Sequence, residues 1–207
     1  MRCPFCQNLS REDAAECLHC GFSLPKLDQF FGVPPVLSQG VADPSGAMPT
    51  AEKRRTLAGV EQFQARFPQC RFTVFLTSVK KETPLHLYSF WLFNRASLCA
   101  SLATGAANHQ ILLVIDTAER RTSIMIGYGL EPFVGAHHLN AALDAARDEL
   151  AAGNWGAASR VVLQRVGQAL ESIHAALSRT YGAELQQLGI KPAAKSPVVL
   201  GPGEPAY

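Results

Sequence analysis

The chain has 207 residues, enough for one medium domain and an accessory module. Hydrophobic residues make up 47% and supply a core, while a formal charge of +2 excludes a polyanionic partner held by bulk electrostatics alone. The start, MRCPFCQNLS, has no apolar signal-peptide segment, and the other apolar runs are too short for a membrane helix, so a cytoplasmic location is expected.

Four of the six cysteines form two C-x-x-C pairs, Cys3 with Cys6 and Cys17 with Cys20. Each pair can make a knuckle that aims two thiolates at one point, and two knuckles complete a tetrahedral site for a structural Zn²⁺. Gly21 after the second pair suits the turn that brings backbone N–H groups to the sulfurs. A segment this short cannot fold on a core of its own, so metal would supply most of its folding free energy. A redox C-x-x-C is the competing reading, but two pairs occur together with no βαβ context. His19, inside the second knuckle, is surplus to a four-cysteine set. The arrangement is similar to the zinc ribbons at the N-termini of many bacterial proteins. Thiolates, Glu12, Asp13 and Glu16 outweigh Arg2 and Arg11. Nucleic acid is therefore not the expected partner, and protein contact or a structural cap is expected.

Residues 25–49 are rich in Pro, Gly and Ser and read as a partly extended linker. Phe30 and Phe31 within it suggest docking on a flanking domain or a partner-binding motif. From Thr50, an N-cap candidate, Leu57, Val60, Phe63 and Phe67 recur at helical spacing. Lys53, Arg54 and Arg55 are read as a solvated face. Pro68 stops the helix, and Phe72, Val74 and Leu76 alternate with Thr73, Phe75 and Thr77 in a strand buried on both faces, with Cys70 packed at its start. Thr83 and Pro84 are an N-cap and first-position pair for a helix dense in Tyr88, Phe90, Trp91 and Phe93. Arg95 near its end either pairs with a carboxylate, binds an anion or bonds helix-terminal carbonyls. Residues 101–109 read as a loop.

Ile111 to Ile115 is an apolar strand, Asp116 to Arg121 a charged corner, and Ser123 to Ile126 an alternating return strand. Gly127-Tyr128-Gly129-Leu130-Glu131-Pro132 follows, where two glycines permit φ > 0 or close approach. A third helix spans 136–151. Gly153 ends it, Asn154 caps a fourth with Val162, Val166, Ala169, Leu170, Ile173 and Leu177 in one stripe, and Trp155 wedges the corner. From 182 to 207 periodicity fades and proline rises, which predicts a disordered tail. The expected organisation is a ribbon at 1–24, a linker at 25–49, an α/β domain at 50–181 with a small mixed sheet packed by about four helices, and a tail at 182–207.

ILLVIDTAERRTSIMIGYGLE, with Gly153-Asn154-Trp155 between the last two helices, resembles the TPM domain over roughly residues 50 to 180. The resemblance implies an apolar strand with an acidic end, a return strand closing in G-Y-G-L-E, and loops where some relatives are thought to bind Ca²⁺. Acidic positions in those loops read Gly135-Ala136 and Ala107-Asn108 here. Asp116 and Glu131 remain as carboxylates for Ca²⁺ or Mg²⁺, fewer than a hard cation needs.

Two functions follow. The family's common label implies a metal-assisted phosphatase acting on phosphomonoesters, with Arg95, Arg120, Arg121, Asp116, Glu131, His137 and His138 as candidate parts and the Gly127/Gly129 backbone as an anion nest. The other reading is a non-catalytic interaction or assembly module. In it, the ribbon and the Tyr128 loop meet a protein partner, with Tyr128 either projecting as an anchor or folding back onto the core.

Overall fold

The apolar runs around 72 and 112 become the two central strands of a mixed four-stranded sheet. Its strands are β1 (Gly40–Ala42), β2 (Arg71–Thr77), β3 (Gln110–Asp116) and β4 (Arg121–Ile126), in the order β1-β2-β3-β4. β1, β2 and β3 are parallel, and β4 returns antiparallel, with Ile111 opposite Ile126 and Asp116 opposite Arg121. Every residue of β3 is buried, as its unbroken apolar sequence requires of a central strand. These features come from a computed structural model that describes residues 3–9, 11, 14–35, 37, 40–96 and 106–187.

The helices are α1 (Leu24–Phe31), α2 (Thr50–Arg66), α3 (Leu85–Arg95), α4 (Ala136–Ala145), α5 (Arg147–Ala151) and α6 (Trp155–Gln187). Strand parity sorts the core into two layers. Phe75, Leu112 and Val114 pack with Trp91 and Leu92 of α3 and Leu27 of α1. On the other face Phe72 meets Phe63 of α2, with ring centroids 5.3 Å apart. The start of α6 is tied to α2 by Arg160, which donates to Glu52 at 2.8 Å. Val162 and Val166 are buried as the helical stripe predicts. Residues 1–169 make one unit, and a second, from Leu170, continues α6, with Leu177 and Tyr181 exposed along it.

Several local expectations shift. The segment predicted as an extended linker holds α1 and β1. Pro25 lies in the first turn of α1, where a missing N–H costs nothing, so its presence there starts a helix and does not break one. β1 is three residues long, too short for an alternation signal. Phe31 packs on Trp91 (5.1 Å) and Tyr88 (5.2 Å), whereas Phe30 is largely exposed. Thr50 is the first helical residue with Pro49 at the cap, and the turn before it is built by Asp43, which accepts from the Met48 and Ala47 N–H groups. Pro84, not Thr83, is the cap of α3. The predicted 136–151 helix breaks at Ala146 into α4 and α5. Residues 106–109 form a 3-10 turn, and 182–187 continue α6, while 101–105 and 188–207 lie outside the described residues. Cys70 is buried and its thiol is pushed up by that burial, in keeping with an inert packed residue.

Two ion pairs close this architecture. Asp116 is fully buried at the end of β3, where Arg121 donates Nη2 at 2.7 Å and Nε at 3.1 Å to Oδ2, while the Val79 and Ala118 amides reach Oδ1 at 3.4 and 3.3 Å. Arg121→Ala strands this carboxylate. The expected loss of stability is about 3 kcal/mol in urea unfolding. A loss below about 1 kcal/mol would place the pair among surface ion pairs.

The second pair docks α1 on α3. Asp28 accepts from Arg95 Nη2 at 2.7 Å, Arg95 Nε at 3.0 Å and Trp91 Nε1 at 2.9 Å. Arg95 first, then Trp91, hold the Asp28 carboxyl below its ordinary range, against a smaller opposing effect of desolvation. A depressed carboxylate adds stability above its unfolded value, and that contribution is lost as pH falls through the folded value. The Trp91 indole N–H resonance is expected to titrate with a midpoint below about 3.9. A midpoint at or above that value would remove Asp28 as its acceptor.

Candidate metal centre

The two cysteine pairs fold into matching knuckles. Gln7 N–H donates to the Cys3 carbonyl at 2.9 Å and Cys3 N–H to Asn8 at 2.9 Å; Gly21 N–H donates to Cys17 at 2.7 Å and Cys17 N–H to Phe22 at 2.8 Å. Each turn needs a left-handed residue just after its second cysteine, supplied by Gln7 (φ 62°) and Gly21 (φ 67°). Gly21 meets that demand without a Cβ and was legible in the sequence. Gln7 carries the same demand on an ordinary side chain, and no composition signal marks it.

The four sulfurs of Cys3, Cys6, Cys17 and Cys20 lie within 4.8 Å of one another. Cys3 and Cys20 are 3.7 Å apart at sulfur, as are Cys6 and Cys17. Four sulfurs each about 2.3 Å from a central ion stand about 3.8 Å apart in a tetrahedron, so the spacing fits a metal held by four thiolates. The short pairs run between knuckles, which also distinguishes the site from an isolated C-x-x-C redox pair. Electrostatics point the same way. The Asn8 amide leads in lowering the Cys6 thiol to about 7, and the His19 and Cys20 amides lower Cys17. Desolvation first, and then its sulfur neighbours, push Cys20 up to about 12. Four crowded thiols cannot all ionise without a cation among them. His19 is exposed and outside the cluster. Among the described residues, no other group of three or more His, Cys, Asp or Glu side chains converges.

The knuckles rest on α3 through aromatic rings. Phe22 stacks on Phe5 at 6.2 Å and tilts against Phe90 at 5.7 Å. Beside this contact is a groove of about 400 Å³ bounded by Cys3, Pro4, Phe22, Phe90, Arg95 and Tyr128. Tyr128 is thus neither folded into the core nor projecting freely. It is 46% exposed and forms one wall of the groove. The roles of Phe22, Phe90 and Asp28 went unread in the sequence, because each depends on a partner distant along the chain.

The glycine loop is not an anion nest. Gly127 N–H donates to the Gln110 carbonyl and Gly129 N–H to the Asn108 carbonyl, both at 2.8 Å. Neither glycine adopts positive φ. Gly129 is required by close approach, since a Cβ there would fall 2.7 Å from His109 Nε2 and 2.9 Å from the Asn108 oxygen. The other candidates disperse. Asp116 and Arg121 close the hairpin end of β3, about 20 Å of strand from the glycine loop. Glu131 is exposed beyond that loop, so the two carboxylates considered for Ca²⁺ or Mg²⁺ share no site. Arg95 is engaged by Asp28, and Arg120 bonds the Ala151 carbonyl. His137 and His138 stack at the start of α4 with ring centroids 3.8 Å apart. His137 is exposed, and His138 Nδ1 is buried with no hydrogen-bond partner among the described residues.

Comparison with known proteins places this geometry. No curated protein matches the chain. The N-terminal domain of a protein from P. gingivalis, solved by solution NMR, is similar in fold at 20% identity, with 64% of this chain and 82% of that one covered and a TM-score of 0.53. BA42 from the psychrophilic bacterium Bizionia argentinensis is similar at 12% identity, with 61% and 83% covered and a TM-score of 0.52. At these identities the likeness is one of fold alone. The family profile of the TPM domain matches residues 41–169, from β1 through the start of α6. With more than half of its length matched, this chain belongs to the TPM domain family.

Proposed function

We propose that the chain is a zinc-ribbon-bearing TPM-domain interaction module that binds a protein partner in the cytoplasm, with a structural Zn²⁺ on Cys3, Cys6, Cys17 and Cys20. The observation that carries this reading is the groove shared by the ribbon, α3 and the glycine loop. Its walls are mainly apolar and aromatic, with Phe22, Phe90 and Tyr128 prominent, and the cation among its described lining residues, Arg95, is already paired to Asp28. Such a surface favours apolar and aromatic anchors over a phosphate, which needs uncommitted donors or a metal. Tyr128 and Phe133 are each about half exposed at the same loop and supply further anchor area. No helix among the described residues is long and apolar enough to cross a membrane.

Metal analysis of the purified full chain is expected to find one zinc per chain, and Cys17→Ser to remove it. Zinc content that is absent, or unchanged in that variant, would end the ribbon assignment. For the function, affinity capture with the full chain from its native cell is compared with capture by Tyr128→Ala. A specific partner should be retained by the wild type and weakened at least about tenfold in the variant. Capture indifferent to Tyr128 overturns the groove reading. Hydrolysis of a phosphomonoester with an added divalent metal, lost in Glu131→Gln, replaces it with the phosphatase.

A further inference from the structure

The two edges of the sheet are not equivalent. β1 is a three-residue edge, blunt by its shortness. β4 is six residues long, Arg121-Thr122-Ser123-Ile124-Met125-Ile126, paired to β3 in unbroken register with no bulge. It contains no proline or lysine, and its one charge, Arg121, is turned back onto Asp116. Among the described residues, neither proline, lysine nor a bulge protects this edge. The hydrogen-bond phase shows which groups face outward. Gly127 donates to Gln110, so alternation directs Met125, Ser123 and Arg121 toward β3. The N–H and C=O groups of Thr122, Ile124 and Ile126 point away. Among the described residues these groups have no backbone or side-chain partner. All six residues of the strand are half-buried.

We propose that β4 is a self-association edge, pairing antiparallel with β4 of a second copy about a two-fold axis at Ile124. The strand's own sequence selects this occupant. In that register Ile124 faces Ile124, and Thr122 faces Ile126 of the second copy on the same face, with Ser123 opposite Met125 on the other. No like charges stand opposite each other. The Arg120–Arg121 corner of one copy arrives at the end of the second strand that carries Tyr128 and Glu131, so it meets no second basic corner there. The two arginine corners stay about 20 Å apart, beyond the screening length of about 10 Å. Ile126 of the second copy also comes to the mouth of a cavity of about 370 Å³ beside Thr122, lined by Leu143 and Leu150. The pairing turns two four-stranded sheets into one of eight, and it does not depend on the ribbon or on its partner.

The test combines light-scattering mass with amide hydrogen exchange on the full, metal-replete chain across a range of protein concentrations. The mass is expected to double as concentration rises. Over the same range, exchange at the Thr122, Ile124 and Ile126 amides should slow by at least about tenfold while that at Ser123 and Met125 changes little. Ile124→Pro removes one outward N–H that β3 does not use, a substitution edge strands tolerate. Thr122→Lys adds an edge charge and keeps every backbone donor, so it serves if the proline variant does not fold. Either should weaken association at least about tenfold. A monomer at every concentration overturns the proposal, as does a dimer whose protected amides lie elsewhere. A monomer whose three amides are protected only by added cell extract assigns the edge to a foreign strand and overturns it equally.

Discussion

The complete burial of β3 is the constraint on which the rest of the structure depends. A strand covered on both faces must pair its backbone on both sides and leave no backbone group or charge unmet at its ends. β2 and β4 provide the pairing. The ends are handled differently. At one, Asp116 is taken out of water and made tolerable by Arg121 and two amides. At the other, Gln110 offers its carbonyl to Gly127, which fixes where the glycine loop leaves the sheet. The residues that looked most chemical in sequence, a carboxylate and two glycines flanking a tyrosine, are in large part the terminations of one buried strand.

That accounts for how the candidate site thinned out. An arginine, an aspartate and a glycine pair close together in sequence read as a phosphate site, because sequence shows residue types and not their partners. In the folded chain Arg121 is engaged by Asp116, Arg95 by Asp28, and both glycine amides by carbonyls. Each of these interactions has a structural role, and each group would have to abandon it before binding anything else.

What the sequence disclosed follows the range of the forces involved. The strands around Phe72 and Leu112, the stripe of Val162 and Val166 and the cysteine cluster were legible, because periodicity and C-x-x-C spacing are local. α1 and β1 were not. α1 is held by Asp28 reaching Arg95, 67 residues away, and β1 by three residues of pairing with β2. Composition at 25–49 records proline, glycine and serine there, while the turn that follows β1 is built on Asp43 and Gly46. The same limit hid the groove, whose walls come from three separated stretches.

The magnitudes at the ribbon then decide what holds that groove together. Among the ribbon side chains Phe5, Leu9 and Leu18 are exposed, so apolar burial there is slight. Packing Phe22 against Phe90 is worth about 1.5–3 kcal/mol at most. Zinc held by four thiolates contributes about 10–16 kcal/mol in small zinc-folded peptides, several times more. Phe22 follows Cys20 by two residues, and its carbonyl accepts from Cys17, so its placement against α3 is set by the same turn that aims the thiolates. With metal bound, the ribbon wall stands opposite Tyr128. Beside Phe22, Lys26 of α1 ties the second knuckle to the domain through the Gly21 carbonyl and Glu16. The cysteine knuckles and the α/β domain thus share one surface, and a metal on the four cysteines would fix the wall that the knuckles contribute to it.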